Sequence, residues 1–102
     1  MTIGESIKLV RTIAGLTQEQ MSERLGISSN YLSLIENQRA KPSLSLLERI
    51  EKEFDVPASF LMWNARFQSR QDDPEISERY RRLGEHMTEL ATTLIRRKMQ
   101  AL

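Results

Sequence analysis

The chain has 102 residues, enough for one modest core, and carries 15 Lys/Arg against 14 Asp/Glu for a formal net charge of +1. It has no cysteine, which excludes a disulfide framework, thiolate metal ligation and a cysteine nucleophile. No apolar run approaches the length of a membrane span, and Glu5, Lys8 and Arg11 interrupt the first apolar positions, so a soluble, cytoplasmic protein without signal or membrane segment is expected.

Apolar residues recur at helical spacing throughout, and nothing alternates as a strand does. A first helix is expected from about Thr2 to Ala14, with Ile3, Ile7, Val10 and Ala14 on one face and Gly15 placed to end it. Thr17, with Gln20 three residues on, forms a capping box for a second helix that buries Met21 and Leu25 and stops at Gly26. Ser28 caps a third, which turns Leu32 and Ile35 inward and ends near Asn37. Pro42-Ser43 opens a fourth, with Leu44, Leu47, Ile50 and Phe54 facing in, and Val56-Pro57 starts a short fifth containing Phe60 and Leu61. Residues 64–74, ending in the polar QSRQDDP, read as a linker. Residues 75–102 read as one amphipathic helix, roughly 40 Å long at 1.5 Å per residue.

The third helix is unusual. Ser28, Ser29, Asn30 and Ser33 crowd its start and outer side, where a surface helix usually carries Lys and Glu. The three residues Leu25-Gly26-Ile27 before it form a glycine-containing joint between two short helices, a helix-turn-helix signature. The surrounding stretch, LVRTIAGLTQEQMSERLGISSNYLSLIENQRAKPSLSLLERIEKEFDVPASFL, resembles the lambda-repressor/Cro-like (XRE-type) helix-turn-helix family over residues 3–61. Arg11, Thr17-Gln18-Glu19, Leu25-Gly26-Ile27, Tyr31, Ile35-Glu36, Pro42-Ser43 and Asp55-Val56-Pro57 carry the match.

The resemblance implies an all-α fold: a five-helix lambda-repressor-like DNA-binding domain over residues 1–63 plus a long C-terminal helix. It also implies a sequence-specific transcriptional regulator whose third helix enters the major groove. By carry-over, Ser28, Ser29, Asn30, Ser33 and Leu34 occupy base-reading positions. Asn suits adenine, Ser can bond any base, and Leu34 can meet a thymine methyl. Gln18, Asn37, Arg39 and Lys41 fall where relatives touch phosphates, and Arg11 with Glu36 corresponds to a structural salt bridge. Without the family, the serines read as caps and solvated surface, and the two cations as loop charges.

Four positions depart from the family pattern. Ser22 replaces a small apolar residue and must bond its hydroxyl. Gln38 replaces a common Gly, so Asn37 is expected to take any left-handed backbone there. Glu51 and Glu53 stand at frequently apolar positions and help leave residues 1–63 at −1, with seven Lys/Arg against eight Asp/Glu; overall charge therefore lends a nucleic-acid partner no support.

In the tail, Ile76, Tyr80, Leu83, Met87, Leu90 and Leu94 make a heptad seam over nearly three repeats. A lone helix cannot bury it. Pairing with a second copy is expected, joined by Trp63 and Phe67, with packing on its own domain as the alternative. Arg96, Arg97 and Lys98 read as partners of the helix dipole. The only histidine, His86, lies on this helix and reads as solvated, and glycine-rich phosphate loops are absent. No enzyme, metal or cofactor is expected. Double-stranded DNA and a second copy are the expected partners, with room for a protein partner. The competing reading is a protein-interaction module of the same fold, antitoxin-like or adaptor, acting through its C-terminal helix.

Overall fold

Hydroxyl side chains start each of the first four helices. Thr2, Thr17, Ser28 and Ser43 sit in extended backbone and accept the N–H of the third residue on, opening α1 (Ile3–Ala14), α2 (Gln18–Leu25), α3 (Ser29–Glu36) and α4 (Leu44–Phe54). Helix α5 (Ala58–Phe67) borrows a cap: the Glu51 carboxylate accepts the Ala58 N–H at 2.9 Å. The glutamate that looked out of place in α4 thus starts the next helix. Asp73 caps α6 (Pro74–Gln100), with Pro at its first turn. The computed structural model describes residues 1–67 and 73–101, for 63–67 the backbone alone. All regular structure among the described residues is helical.

Three helices end in the same way. After α1, α2 and α3, a residue in left-handed backbone lets the next N–H reach back five residues: Leu16 to Arg11 O, Ile27 to Ser22 O, Arg39 to Leu34 O. The left-handed residues are Gly15 (φ 72°), Gly26 (φ 69°) and Gln38 (φ 59°). Asn37, expected to take that role, does not; its φ is −94°. The 6→1 bond requires the reversal at the residue directly before Arg39, so Gln bears it. Gln38 recovers part of the cost by donating its amide to the Glu36 carbonyl at 2.7 Å.

Helices α1–α5 meet around Ile7, Val10, Met21, Leu25, Leu32, Ile35, Ile50, Phe54, Val56 and Leu61, all essentially inaccessible. Helix α1 crosses α3 closely at Gly4, where an added Cβ would lie 2.1 Å from the Ile35 carbonyl oxygen. In α4 the inward set is Leu46, Leu47, Ile50 and Phe54 rather than one beginning at Leu44, which is 67% exposed. Leu44 directly follows the cap and precedes the first full turn facing the core, so its side chain misses it. Ser22 is buried and, as its position requires, donates its hydroxyl to the Glu19 carbonyl at 2.8 Å.

Helix α5 continues through Phe67, into the stretch expected to be linker. The sequence from Met62 to Phe67 contains no Gly or Pro to stop it. Helix α6 packs against α1, α4 and α5. Ala91 and Ile95 enter the common core, with Met87 and Met99 beside it. The tail was expected to pair through its heptad seam, yet its core-facing stripe repeats every four residues and includes Ala91 and Ile95, which the seam omits. Of the seam, Ile76, Leu83 and Leu90 are exposed, and Tyr80, Met87 and Leu94 half-buried. The Trp63 and Phe67 side chains lie outside the described residues.

Candidate nucleic-acid interface

Helix α3 is held from behind at both ends. Leu32 and Ile35 anchor it in the core, and the Gly26 turn fixes its approach from α2. The Arg49 guanidinium of α4 lies against that turn, 2.8 Å from where a Cβ on Gly26 would stand. Any side chain at 26 would therefore meet both a left-handed backbone and Arg49.

At its C-terminal end α3 is tied to α1. Arg11 grips Glu36 with two parallel bonds, Nε to Oε2 and Nη2 to Oε1, both 2.9 Å, and its Nη1 donates to the Leu16 carbonyl at 3.1 Å. Glu36 is the single charge on α3 and its side chain is 2% exposed. The bidentate guanidinium neutralises it, so α3 carries no unbalanced negative charge. The expected structural pair is therefore formed.

The other face of α3 is open. Ser28 and Asn30 are exposed; Ser29, Ser33 and Leu34 are half-buried. Ser28 Oγ accepts the Tyr31 N–H at 3.0 Å but keeps its own O–H to donate. Among the described residues, none forms a side-chain hydrogen bond that would occupy the Asn30 amide. The edge offers both donors and acceptors, without formal charge, along about two turns of helix.

Around this edge stand the residues assigned to phosphates. Arg39 and Lys41 are exposed on the loop after α3. That loop is pinned by Tyr31, whose hydroxyl donates to the Lys41 carbonyl at 3.1 Å. Tyr31 matched the family but received no role from the sequence, because a contact spanning ten residues across a loop leaves no periodic trace. Gln18, half-buried at the start of α2, donates one amide N–H to Glu36 Oε1 at 3.3 Å. Asn37 turns its amide back onto α3, donating to the Ser33 carbonyl at 2.9 Å. Asn37 also donates to Ser33 Oγ at 3.4 Å, whereas Gln18 has a second N–H left to donate. Gln18 and Asn37 therefore brace the helix as well as bordering its open face.

A small polar edge on a braced helix matters most in the context of the whole pattern. The helix-turn-helix family model matches residues 7–61, just over half of the chain. The chain belongs to the XRE-type helix-turn-helix family. Its curated relatives include the immunity repressor protein of Bacillus phage phi105, 39% identical over 61% of this chain and 43% of the relative. SinR of Bacillus subtilis, an HTH-type transcriptional regulator, is 34% identical over 59% of this chain and 55% of its own. An uncharacterised HTH-type regulator of Mycobacterium tuberculosis is 39% identical over 57% and 41%. The chain thus spans about half the length of the curated relatives it matches. No solved structure matches it significantly. The matched region ends at the start of α5, so α6 lies beyond what the family describes. Among the described residues, no helix is long and apolar enough to cross a membrane.

Proposed function

We propose that this chain is a sequence-specific DNA-binding transcriptional regulator, a repressor or autoregulator of a bacterial or phage gene, that binds an inverted-repeat operator as a homodimer. The observation that carries this reading is the uncharged, open edge of α3, held rigidly by the core behind it and the Arg11–Glu36 pair beside it.

In this reading α3 lies in the major groove with its first turn against the base edges. Asn30 offers adenine an acceptor for N6–H and a donor for N7, while Ser28, Ser29 and Ser33 bond neighbouring edges. Leu34 meets a thymine methyl. Arg39 and Lys41 neutralise phosphates, the second N–H of Gln18 reaches a phosphate oxygen, and the exposed Asn37 amide does so by exchanging its 3.4 Å contact with Ser33 Oγ, fixing the depth of insertion. Repression follows from occupying the site. The name of the phage relative, an immunity repressor, agrees with this sign of control. One helix reads few base pairs, so a two-fold dimer that places two copies of α3 about 34 Å apart, in successive major grooves, supplies the remaining selectivity.

Selection of bound fragments from a random duplex pool tests the proposal. A palindromic consensus is expected, and Asn30→Ala should lose about 1–3 kcal/mol at particular base positions only. Equal weakening on every sequence would make Asn30 a positioning residue. Retention of no sequence at all over bulk competitor would favour an interaction module acting through α6.

A further inference from the structure

Helix α6 has two unlike halves. From Met87 on, Met87, Ala91, Ile95 and Met99 lie in or against the core, whereas no residue from Asp73 to His86 is buried. Three large apolar side chains along the helix nevertheless face water at intervals of seven: Ile76 (45% exposed), Leu83 (45%) and Leu90 (61%). Each is followed by a small residue, Ser77, Gly84 and Ala91. Beside Leu90 lies an apolar dimple of about 50 Å³, walled by Met87, Leu90, Ala91 and Leu94 of α6 and by Pro57 and Phe60. Four residues spaced i, i+3, i+4 and i+7 on one helix form the hole that receives a side-chain knob from a helix packed alongside.

We propose that the knob is Ile76 of a second copy: two α6 helices pair antiparallel about a two-fold axis at Leu83, seating Ile76 of each subunit in the dimple beside Leu90 of the other. This deepens the homodimer proposed above and rests on it.

Three observations select this arrangement. The stripe is symmetric about Leu83, so reversing the partner returns Ile76 onto Leu90 and Leu83 onto its own copy, as a self-complementary two-fold contact requires. The same register brings Leu83 beside the partner's Gly84 and Leu90 beside its Ser77, one residue from direct opposition, where a short side chain admits close approach. Antiparallel pairing also covers the bare first half of each helix with the domain-bearing second half of the other. A parallel pair would leave bare half on bare half and crowd both sets of α1–α5 at one end.

Charge points the same way. Arg79, 78% exposed and paired with Glu75 of its own helix, precedes by one stripe period His86, whose Nδ1 lies 3.9 Å from the Glu89 carboxylate. Antiparallel pairing lays Arg79 of one subunit near the Glu89 carboxylate of the other, whereas in-register parallel pairing opposes Arg79 to its own copy. Like charges held together in that way oppose association.

The test uses the full chain, which has no native cysteine. Ile76→Cys and Leu90→Cys are prepared separately, then mixed in equal amounts and treated with a short bis-maleimide. Cross-linked dimers containing one of each variant are expected, with little self-linking by either alone. Self-linking of each variant with itself would establish parallel pairing, and absence of any cross-link would remove the contact altogether; either overturns the proposal. Leu83→Glu, at a position already facing water within the subunit, should keep its helicity and raise the dimer dissociation constant about 30-fold or more; an unchanged dimer by sedimentation would overturn it too. The two proposals fail separately. Asn30→Ala should leave cross-linking intact while losing base selectivity, and selective DNA binding without the 76–90 link would sink only the pairing.

Discussion

Gln38 shows how a family position can be kept with the wrong residue. Its left-handed backbone closes α3 and aims Arg39, a conformation costing a non-glycine residue roughly 1–2 kcal/mol. The amide bond to the Glu36 carbonyl offsets part of that. Removing the amide but keeping a Cβ should therefore be worst: Gln38→Ala is expected to lose about 1 kcal/mol, and Gln38→Gly to equal or exceed the parent, by thermal midpoint. The Arg11–Glu36 pair behaves differently because Glu36 is sealed from solvent. Arg11→Ala leaves a buried carboxylate with only the Gln18 amide, and urea titration should register a loss of about 3–5 kcal/mol. Replacing both partners with Met and Leu should recover most of the stability, since desolvation offsets much of what the intact pair contributes. A double variant as unstable as the single would show that the pair does more than neutralise itself.

Among the elements, α6 depends on its own surface charges wherever the core does not reach it. Glu75 pairs with Arg79 at 3.3 Å, Glu78 with Arg81 at 2.6 Å and Arg82 at 3.3 Å, and Arg81 also with Glu85. Such i, i+3 and i, i+4 pairs support a helix that lacks packing. The Arg81 guanidinium, hydrogen-bonded to Glu78 and aided by its charge and that of Arg82, holds the Glu78 carboxyl down to about 2 from an ordinary value of 4.5. A carboxylate with a depressed folded-state pKa stabilises structure above its ordinary value and loses that contribution as pH falls through the folded one. Helix order in the first half of α6 should therefore weaken between about pH 4.5 and 2. Carboxyl carbon shifts in NMR should place the Glu78 titration near the lower value and, in Arg81→Ala, near the upper. Titration at 4.5 in the parent would show that the pair does not form in solution. Further along the helix, Thr88, Thr92 and Thr93 return their hydroxyls to carbonyls one turn back, leaving those positions self-satisfied.

At the scale of the molecule, α6 is nearly as long as the longest dimension. Its 27 residues span roughly 40 Å at 1.5 Å per residue, against an overall extent of 42 Å. It both closes the core and, as proposed, offers a two-fold contact, which ties the stability of one subunit to the geometry of two. Net charge of +1 makes DNA affinity depend on a few placed cations rather than on a general positive field. In the proposed complex Arg39 and Lys41 each neutralise one phosphate per subunit, so a dimer would engage four, and log K should fall against log salt with a slope of roughly −3.6. Arg39→Ala should flatten it to roughly −1.8 and weaken binding to all sequences alike. An unchanged slope would move the phosphate contacts away from this loop.

The sequence by itself determined the local grammar of this protein. The hydroxyl caps at Thr17 and Ser28, the helix openings near Thr2 and Ser43, the glycine stops at 15 and 26, and the polar edge of α3 were legible because each depends on residues within one or two turns. Tertiary structure alone decided what depends on contacts far apart in the chain. Glu51 capping α5, Tyr31 holding the Lys41 carbonyl and Gln18 bracing Glu36 join residues from different elements, and spacing carries no record of them. The tail illustrates the division most clearly. Heptad spacing correctly marked α6 as amphipathic, but a helix with two apolar stripes about a quarter-turn apart does not say which one its own core will take. The space left between α1, α4 and α5 chose Ala91 and Ile95, and so left Ile76, Leu83 and Leu90 facing outward.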